Sequence, residues 1–370
     1  MAPIFLVLVA LVAAFATIHG QEGEGVTEEL SLDEQAELFR PLLEGPRQTH
    51  CGEVRGPVPG NRSPYAPATP PPCSFNRHGE TEFLEGVEMM HHFVEADGVK
   101  WHFVTAGDRS NPPLLFIHGL PESWFGFHHQ VAALSDDYYC IAVDMIGYGQ
   151  SDKRLTLDLS FPGMAKSLTA LLELLGVDSF YLVTHDRGSV VGDNLTAVPG
   201  MEQRIQRWVR MQQSANEPHG YPRPPHGLFG SDAGVEMFSR QAMINFNYDP
   251  AGGYVGKEIP THLVDRIAHE WLVEGVAEAV RANFQTSNFD IELEERMRDG
   301  GLKDTMTMPI LFLQGALDPG QKPEEYKDTA EVFGNPENIV VMLEGASHFT
   351  ATEQPELVSL YIRLFIEGRL

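Results

Sequence analysis

The sequence predicts an α/β fold: a mostly parallel, eight-stranded sheet with helices on both faces and an inserted helical cap. Three observations carry this expectation. From Val87 onward, short β-branched and aromatic runs alternate with longer stretches of helical periodicity. Between the sixth and seventh runs, about a hundred residues show helical patterning and no strand, too many for a loop. The 370-residue chain is 42% apolar, enough for one large core or two modest ones.

The elements follow in order. Ile4 to Ala16 is uninterrupted apolar sequence but shorter than the roughly 20 residues a spanning helix needs. With Ala14-Phe15-Ala16 as an A-x-A site and a weaker one at Gly20, residues 1–20 are expected to be a signal peptide, which makes the protein secreted with no membrane span. Residues 21–85 form an acidic, Pro-rich extension. In it, Ser31-Leu32-Asp33-Glu34 is a capping box before a short helix over Gln35 to Leu43, kinked or ended near Pro41. Gly52 to Ser74 is linker-like, and Cys51 and Cys73 flank it and could close it. Cys140 lies in a strand-like run, and neither a CxxC pair nor a Cys/His cluster suggests a metal.

Residues 86–214 and 305–370 make the core. Its strands are expected at Val87 to Glu95, Lys100 to Thr105, Pro113 to Ile117, Tyr138 to Val143, Phe180 to Thr184, Ile205 to Gln212, Pro309 to Leu313 and Asn338 to Leu343. Helices are expected at Phe161 to Leu175, Arg187 to Ala197, Lys322 to Phe333 and Gln354 to Glu367. Residues 215–304 are the cap, with helical patterns over Val235 to Ile244 and Thr261 to Asn283, over the edge where open α/β sheets place their sites.

With 26 basic against 52 acidic residues, the net charge of −26 disfavours nucleic acid and anionic membrane surfaces, both of which need clustered Lys and Arg. Chemistry concentrates at strand ends instead. In Phe180-Tyr-Leu-Val-Thr-His185-Asp186-Arg187-Gly188-Ser189, a β run enters, a helix of small and branched residues leaves, and Asp186 sits at the sharp turn between them. That is a nucleophile elbow with Asp as nucleophile and Thr184 in place of the usual first Gly. An ordinary carboxyl is already ionised at neutral pH and favoured by the helix N-terminus, so it needs no base for its first attack. Asp318 follows the next-to-last strand and His348 the last, giving the chain order nucleophile, acid, base. Leu120, in the turn His118-Gly119-Leu120-Pro121-Glu122-Ser123-Trp124, and Arg187 are the backbone N–H groups expected to form an oxyanion hole.

Taken together, HGLPESW, Asp144-Met-Ile-Gly-Tyr-Gly-Gln-Ser-Asp152, HDRGS, GALD and GASHF resemble the epoxide hydrolase and haloalkane or haloacetate dehalogenase branch of the α/β-hydrolase superfamily, over roughly Val87 to Leu370. The resemblance implies an α/β-hydrolase fold, Asp186 as alkylated nucleophile, His348 as the base that activates water, Asp318 as its orienting acid, and no cofactor. It also implies that Leu120, Arg187, Trp124, Met243 and Phe284 contact a small apolar or amphipathic substrate. Haloalkane dehalogenases generally hold halide with a Trp after the nucleophile, where this chain has Arg187. Epoxide hydrolases protonate the epoxide oxygen with two cap tyrosines, and Met243 and Phe284 stand at those places. Tyr221, Tyr248, Tyr254 or His219 are the substitutes at hand. An epoxide hydrolase-like enzyme is therefore expected, with a haloacid or haloalkane dehalogenase anchoring its substrate on Arg187, or a non-catalytic binding protein, as alternatives.

Overall fold

The structure, a computed structural model, describes residues 31, 37, 40–43, 46–213, 226–287, 289–326 and 328–370. The expected signal peptide, most of the N-terminal helix, Tyr221 and His219 lie outside the described residues.

Nine strands form one sheet: β1 (Thr81–Leu84), β2 (Val87–Ala96), β3 (Val99–Ala106), β4 (Pro113–Ile117), β5 (Tyr139–Val143), β6 (Phe180–His185), β7 (Ile205–Met211), β8 (Ile310–Gly315) and β9 (Ile339–Leu343). Their order is β1-β2-β3-β5-β4-β6-β7-β8-β9. The pairs from β1 to β5 are antiparallel, and those from β5 across to β9 are parallel. β1 corrects the expected eight strands to nine. It is four residues long with little burial, and a two-residue turn at positive φ, Glu85 (51°) and Gly86 (85°), joins it to β2. β4 and β6 are apolar runs buried on both faces, as central parallel strands must be.

Helices α1 (His128–Leu134), α2 (Phe161–Leu175) and α3 (Arg187–Thr196) connect the central strands. In α2 the Ser160 hydroxyl accepts the Gly163 N–H, and Gly176 at φ 69° ends the helix. Between β7 and β8 the described residues hold α4 (Asp232–Phe238), α5 (Gln241–Asn247), α6 (Thr261–Trp271), α7 (Val276–Thr286) and α8 (Phe289–Met297), and no strand. The two long helical patterns expected there are each broken, one by extended Arg240 and one by Gly275 at φ 91°. The helix expected over Lys322 to Phe333 is instead two short turns, Pro323–Tyr326 and Thr329–Val332, and α9 (Pro355–Ile366) closes the chain.

The Pro-rich stretch is docked rather than linker-like. Cys51 and Cys73 form a disulfide, the Ala68 N–H donates to Phe93 O at 2.8 Å and the Val58 N–H to His78 O at 2.9 Å. Just before it, the His50 N–H reaches Leu272 O at 2.9 Å and the Gln48 N–H reaches Ser239 O at 2.9 Å, so this extension straps the cap to the antiparallel edge of the sheet. Among the described residues no helix is long and apolar enough to cross a membrane.

Candidate active site

The sheet order brings the C-terminal ends of β4, β6, β8 and β9 to one edge, and each ends in a loop carrying a predicted site residue. Asp186 sits at φ 47°, ψ −123°, a conformation costing a non-glycine residue about 1–3 kcal/mol. Although it holds the N-cap position of α3, its side chain caps nothing there. Its Oδ1 accepts the Leu120 N–H at 2.9 Å instead. Two glycines permit this approach: a Cβ on Gly119 would lie 2.5 Å from the Asp186 Cβ, and one on Gly188 would lie 2.3 Å from the Ile117 carbonyl oxygen. Thr184 fits where the motif usually has Gly because its hydroxyl is anchored by Ser189 Oγ at 2.8 Å and by the Trp208 indole N–H at 2.9 Å.

Across from the elbow, His348 Nδ1 is 2.8 Å from Asp318 Oδ2, and its Nε2 is 3.7 Å from Asp186 Oδ2. The Asp318 side chain is fully buried, whereas those of His348 and Asp186 keep 11% and 14% exposure, so these two present the reactive face. Burial works against a charged imidazole. The Asp318 carboxylate, with Asp186 and Glu122 beyond it, nevertheless raises His348 to about 9. The imidazole is therefore protonated at neutral pH, facing the candidate nucleophile.

A buried chain fixes this imidazole. Glu122 Oε2 lies 2.9 Å from His185 Nδ1, whose Nε2 meets the His348 carbonyl oxygen at 2.9 Å, and the Tyr248 hydroxyl donates to Glu122 Oε1 at 3.1 Å. On the other side, both Glu353 oxygens accept the Ser347 N–H at 3.0 Å. Sequence reasoning missed Glu122, His185 and Glu353 and named Tyr248 only as a substitute proton donor. Glu122 and His185 stand inside motifs that were quoted, so they were findable; Glu353 carries no local signal.

Leu120 is where it was expected. Trp124 is a correction: its ring is fully buried, edge-on to His91 and Phe125, and its backbone N–H donates to Asp144 Oδ1 at 2.9 Å, so it welds the β4 loop to the β5 loop. Arg187 is a second correction. Glu292 of α8 takes its guanidinium at 2.9 and 2.7 Å, and Phe161 packs on it at 4.3 Å, so the charge is already paired and is no anchor for a substrate anion. Phe284 is buried with its ring 5.3 Å from that guanidinium and 5.1 Å from Phe229, and Met243 is buried within α5.

A family model described as the alpha/beta hydrolase fold matches residues 112–355, which contain every one of these strand ends. The chain belongs to the α/β-hydrolase fold family. It is a hydrolase of the branch that contains the epoxide hydrolases. It is 24% identical to epoxide hydrolase 1 of Caenorhabditis elegans over 74% of this chain and 69% of that one. It is 27% identical to epoxide hydrolase A of Mycobacterium tuberculosis (strain ATCC 25618 / H37Rv) over 74% and 96%. Among solved structures, the epoxide hydrolase VrEH1 from Vigna radiata superposes with a TM-score of 0.55 at 24% identity, over 76% of this chain and 98% of that one.

In this α/β hydrolase the described residues offer two groups of three donors within 4.8 Å, Glu85 with His128 and His129, and Glu274 with the disulfide-bonded Cys51 and Cys73. Neither group includes a residue of the strand-end site.

Proposed function

We propose that this chain is an epoxide hydrolase-like enzyme that works through an ester on Asp186, and that it is secreted. The observation that carries the reading is the placing of one carboxylate between a backbone donor, Leu120 N–H at 2.9 Å, and an acid-supported imidazole at 3.7 Å.

An Asp186 oxygen attacks a ring carbon, the carbon–oxygen bond of the epoxide breaks, and the released oxygen takes a proton from a donor in the pocket. Esterification cancels the Asp186 charge, one of the charges that hold the proton on His348, and the imidazolium returns that proton to the donor, which leaves a neutral imidazole beside the ester. His348 then takes a proton from water, and the hydroxide attacks the ester carbon. The resulting oxyanion is held by Leu120 N–H and the N–H of Arg187. Collapse releases the diol and regenerates the carboxylate beside a protonated His348, the state from which the cycle began. The Arg187–Glu292 pair removes the support for a haloacid dehalogenase.

The test is His348→Gln mixed with styrene oxide and, separately, with chloroacetate. We expect an adduct of the epoxide's mass on the Asp186 peptide that persists for hours, and none from chloroacetate. Turnover of His348→Gln at the wild-type rate contradicts the reading. Secretion is tested by the N-terminus of the exported protein, expected after Ala16 or Gly20; a retained Met1 refutes it.

A further inference from the structure

Glu85, in the turn between β1 and β2, stands over α1, where His128 and His129 are neighbours. Its Oε1 is 3.2 Å from His129 Nδ1 and 4.0 Å from His128 Nε2, and the three atoms lie within 4.8 Å of one another. A carbonyl oxygen only accepts, so the contact of His128 Nδ1 with Phe125 O at 2.7 Å puts the ring proton on Nδ1 and leaves a lone pair on Nε2. Metal-binding imidazoles are held in this way, one nitrogen tied to a carbonyl and the other free to ligate. The Phe125 ring, stacked on His128 at 4.1 Å, fixes the orientation. Burial brings His128 to about 3 and lowers His129, so both rings are neutral at pH 7 and neither balances the Glu85 carboxylate. Among the described residues no Lys or Arg pairs with Glu85. Arg266, whose charge reaches His128, is itself paired with Glu82 and Glu270 at 3.1 and 2.7 Å.

We propose that Glu85, His128 and His129 form a binding site for a divalent transition-metal ion of the Zn²⁺ class, separate from the strand-end site. Tetrahedral zinc, with bonds of roughly 2.0–2.2 Å, sets its ligand atoms about 3.4 Å apart. The Glu85–His129 separation already fits, and the Glu85 side chain, 48% exposed, is free to turn and close the others. His129 ligates through Nδ1 as its Nε2–H tautomer, a shift that releases no net proton, and water completes the shell from the exposed side. Two imidazoles with a single carboxylate favour a transition ion over Mg²⁺ or Ca²⁺, which take oxygen ligands. The role is structural. The ion joins the β1–β2 turn to the helix that follows the Leu120 loop through the turn Trp124–Phe127, and so clasps the antiparallel edge of the sheet to that loop.

The experiment takes the full chain without a histidine tag, stripped with chelator, and titrates it with ZnCl₂ by calorimetry and by thermal melting. We expect one tight Zn²⁺ per chain and a Tm raised by roughly 3 °C at 100-fold excess over Kd, with no rise from MgCl₂ or CaCl₂. Glu85→Gln and His129→Ala, both at the surface, should melt like the parent in chelator, bind Zn²⁺ about tenfold or more weakly, and lose the rise. His262→Ala, an exposed histidine elsewhere, should change nothing. Absence of tight binding overturns the site, and so does equal affinity in parent, Glu85→Gln and His129→Ala, which would place the ion elsewhere. Co²⁺ gives a second reading: the visible absorption of a tetrahedral site, present in the parent and lost in His129→Ala, and an unaltered spectrum in that variant refutes the assignment. No readout uses turnover, so failure here leaves the ester mechanism untouched.

Discussion

Asp186 is held at a positive φ by the two glycines that let the β4 loop approach it, so its carboxylate stands free of its own helix and meets Leu120 N–H and His348 instead. The proton on His348 depends on that carboxylate. Asp186→Asn should lower the His348 pKa from about 9, because one of the negative charges that stabilise the imidazolium is gone. The sign also appears in stability. A raised histidine stabilises fully below about pH 6.5, and that contribution is lost as pH rises through about 9, so the variant should lose part of this dependence. NMR titration of the imidazole checks it, and an unchanged pKa would mean that Asp318 alone sets the base. That Asp186, Asp318 and His348 come together was legible because each follows a recognisable strand in the right order. Trp124 misled because its motif is built for packing: its indole and backbone serve the two loops that support the site.

At the scale of elements, α3 and α8 are joined by two buried ion pairs of opposite sense, Arg187 of α3 with Glu292 of α8 and Arg296 of α8 with Asp193 of α3. Asp193 also takes Arg210 at 3.0 Å. The cap is thereby clasped to the helix that begins at the candidate nucleophile. Removing one member, as in Arg187→Met, should cost about 3–5 kcal/mol because it strands a carboxylate in a dry interface, while Arg187→Met with Glu292→Met should recover most of the loss. Urea denaturation of the three proteins decides this; equal loss in the single and double variants would contradict the clasp. Pairing of this kind leaves no trace in sequence, since Arg187 and Glu292 are about a hundred residues apart. Eight of the nine strands and α2 were legible from period alone. The cap was legible as helical but not in its breaks, because Arg240 and Gly275 interrupt patterns whose apolar spacing continues across them.

Across the whole molecule, buried histidines set the response to acid. Burial lowers His78, His91, His92 and His118, and brings His50 to about 4 and His128 to about 3. In the unfolded chain each binds a proton near pH 6.5, so the stability from keeping them neutral is present above that pH and lost as pH falls toward 4. Glu270 and Glu325, raised to about 8 by burial, act in the opposite sense between pH 8 and 4.5 but are outnumbered. Stability should therefore peak near neutrality and drop by several kcal/mol by about pH 4. Melting scans across this range check it, and a flat profile would contradict it. The strap that joins cap to sheet was the least legible large feature. Its Pro-rich composition carries no periodicity, and its contacts are backbone hydrogen bonds and one disulfide, expected only from two cysteines flanking a loop.

The central proposal is one covalent event at Asp186. A single turnover with enzyme in excess over styrene oxide in H₂¹⁸O tests it most directly. In the proposed mechanism water attacks the ester carbon and not the substrate carbon, so the ¹⁸O should appear in the Asp186 peptide and be absent from the first diol released. Label in that first diol with an unlabelled Asp186 would show that His348-activated water opens the ring directly, and would contradict the account.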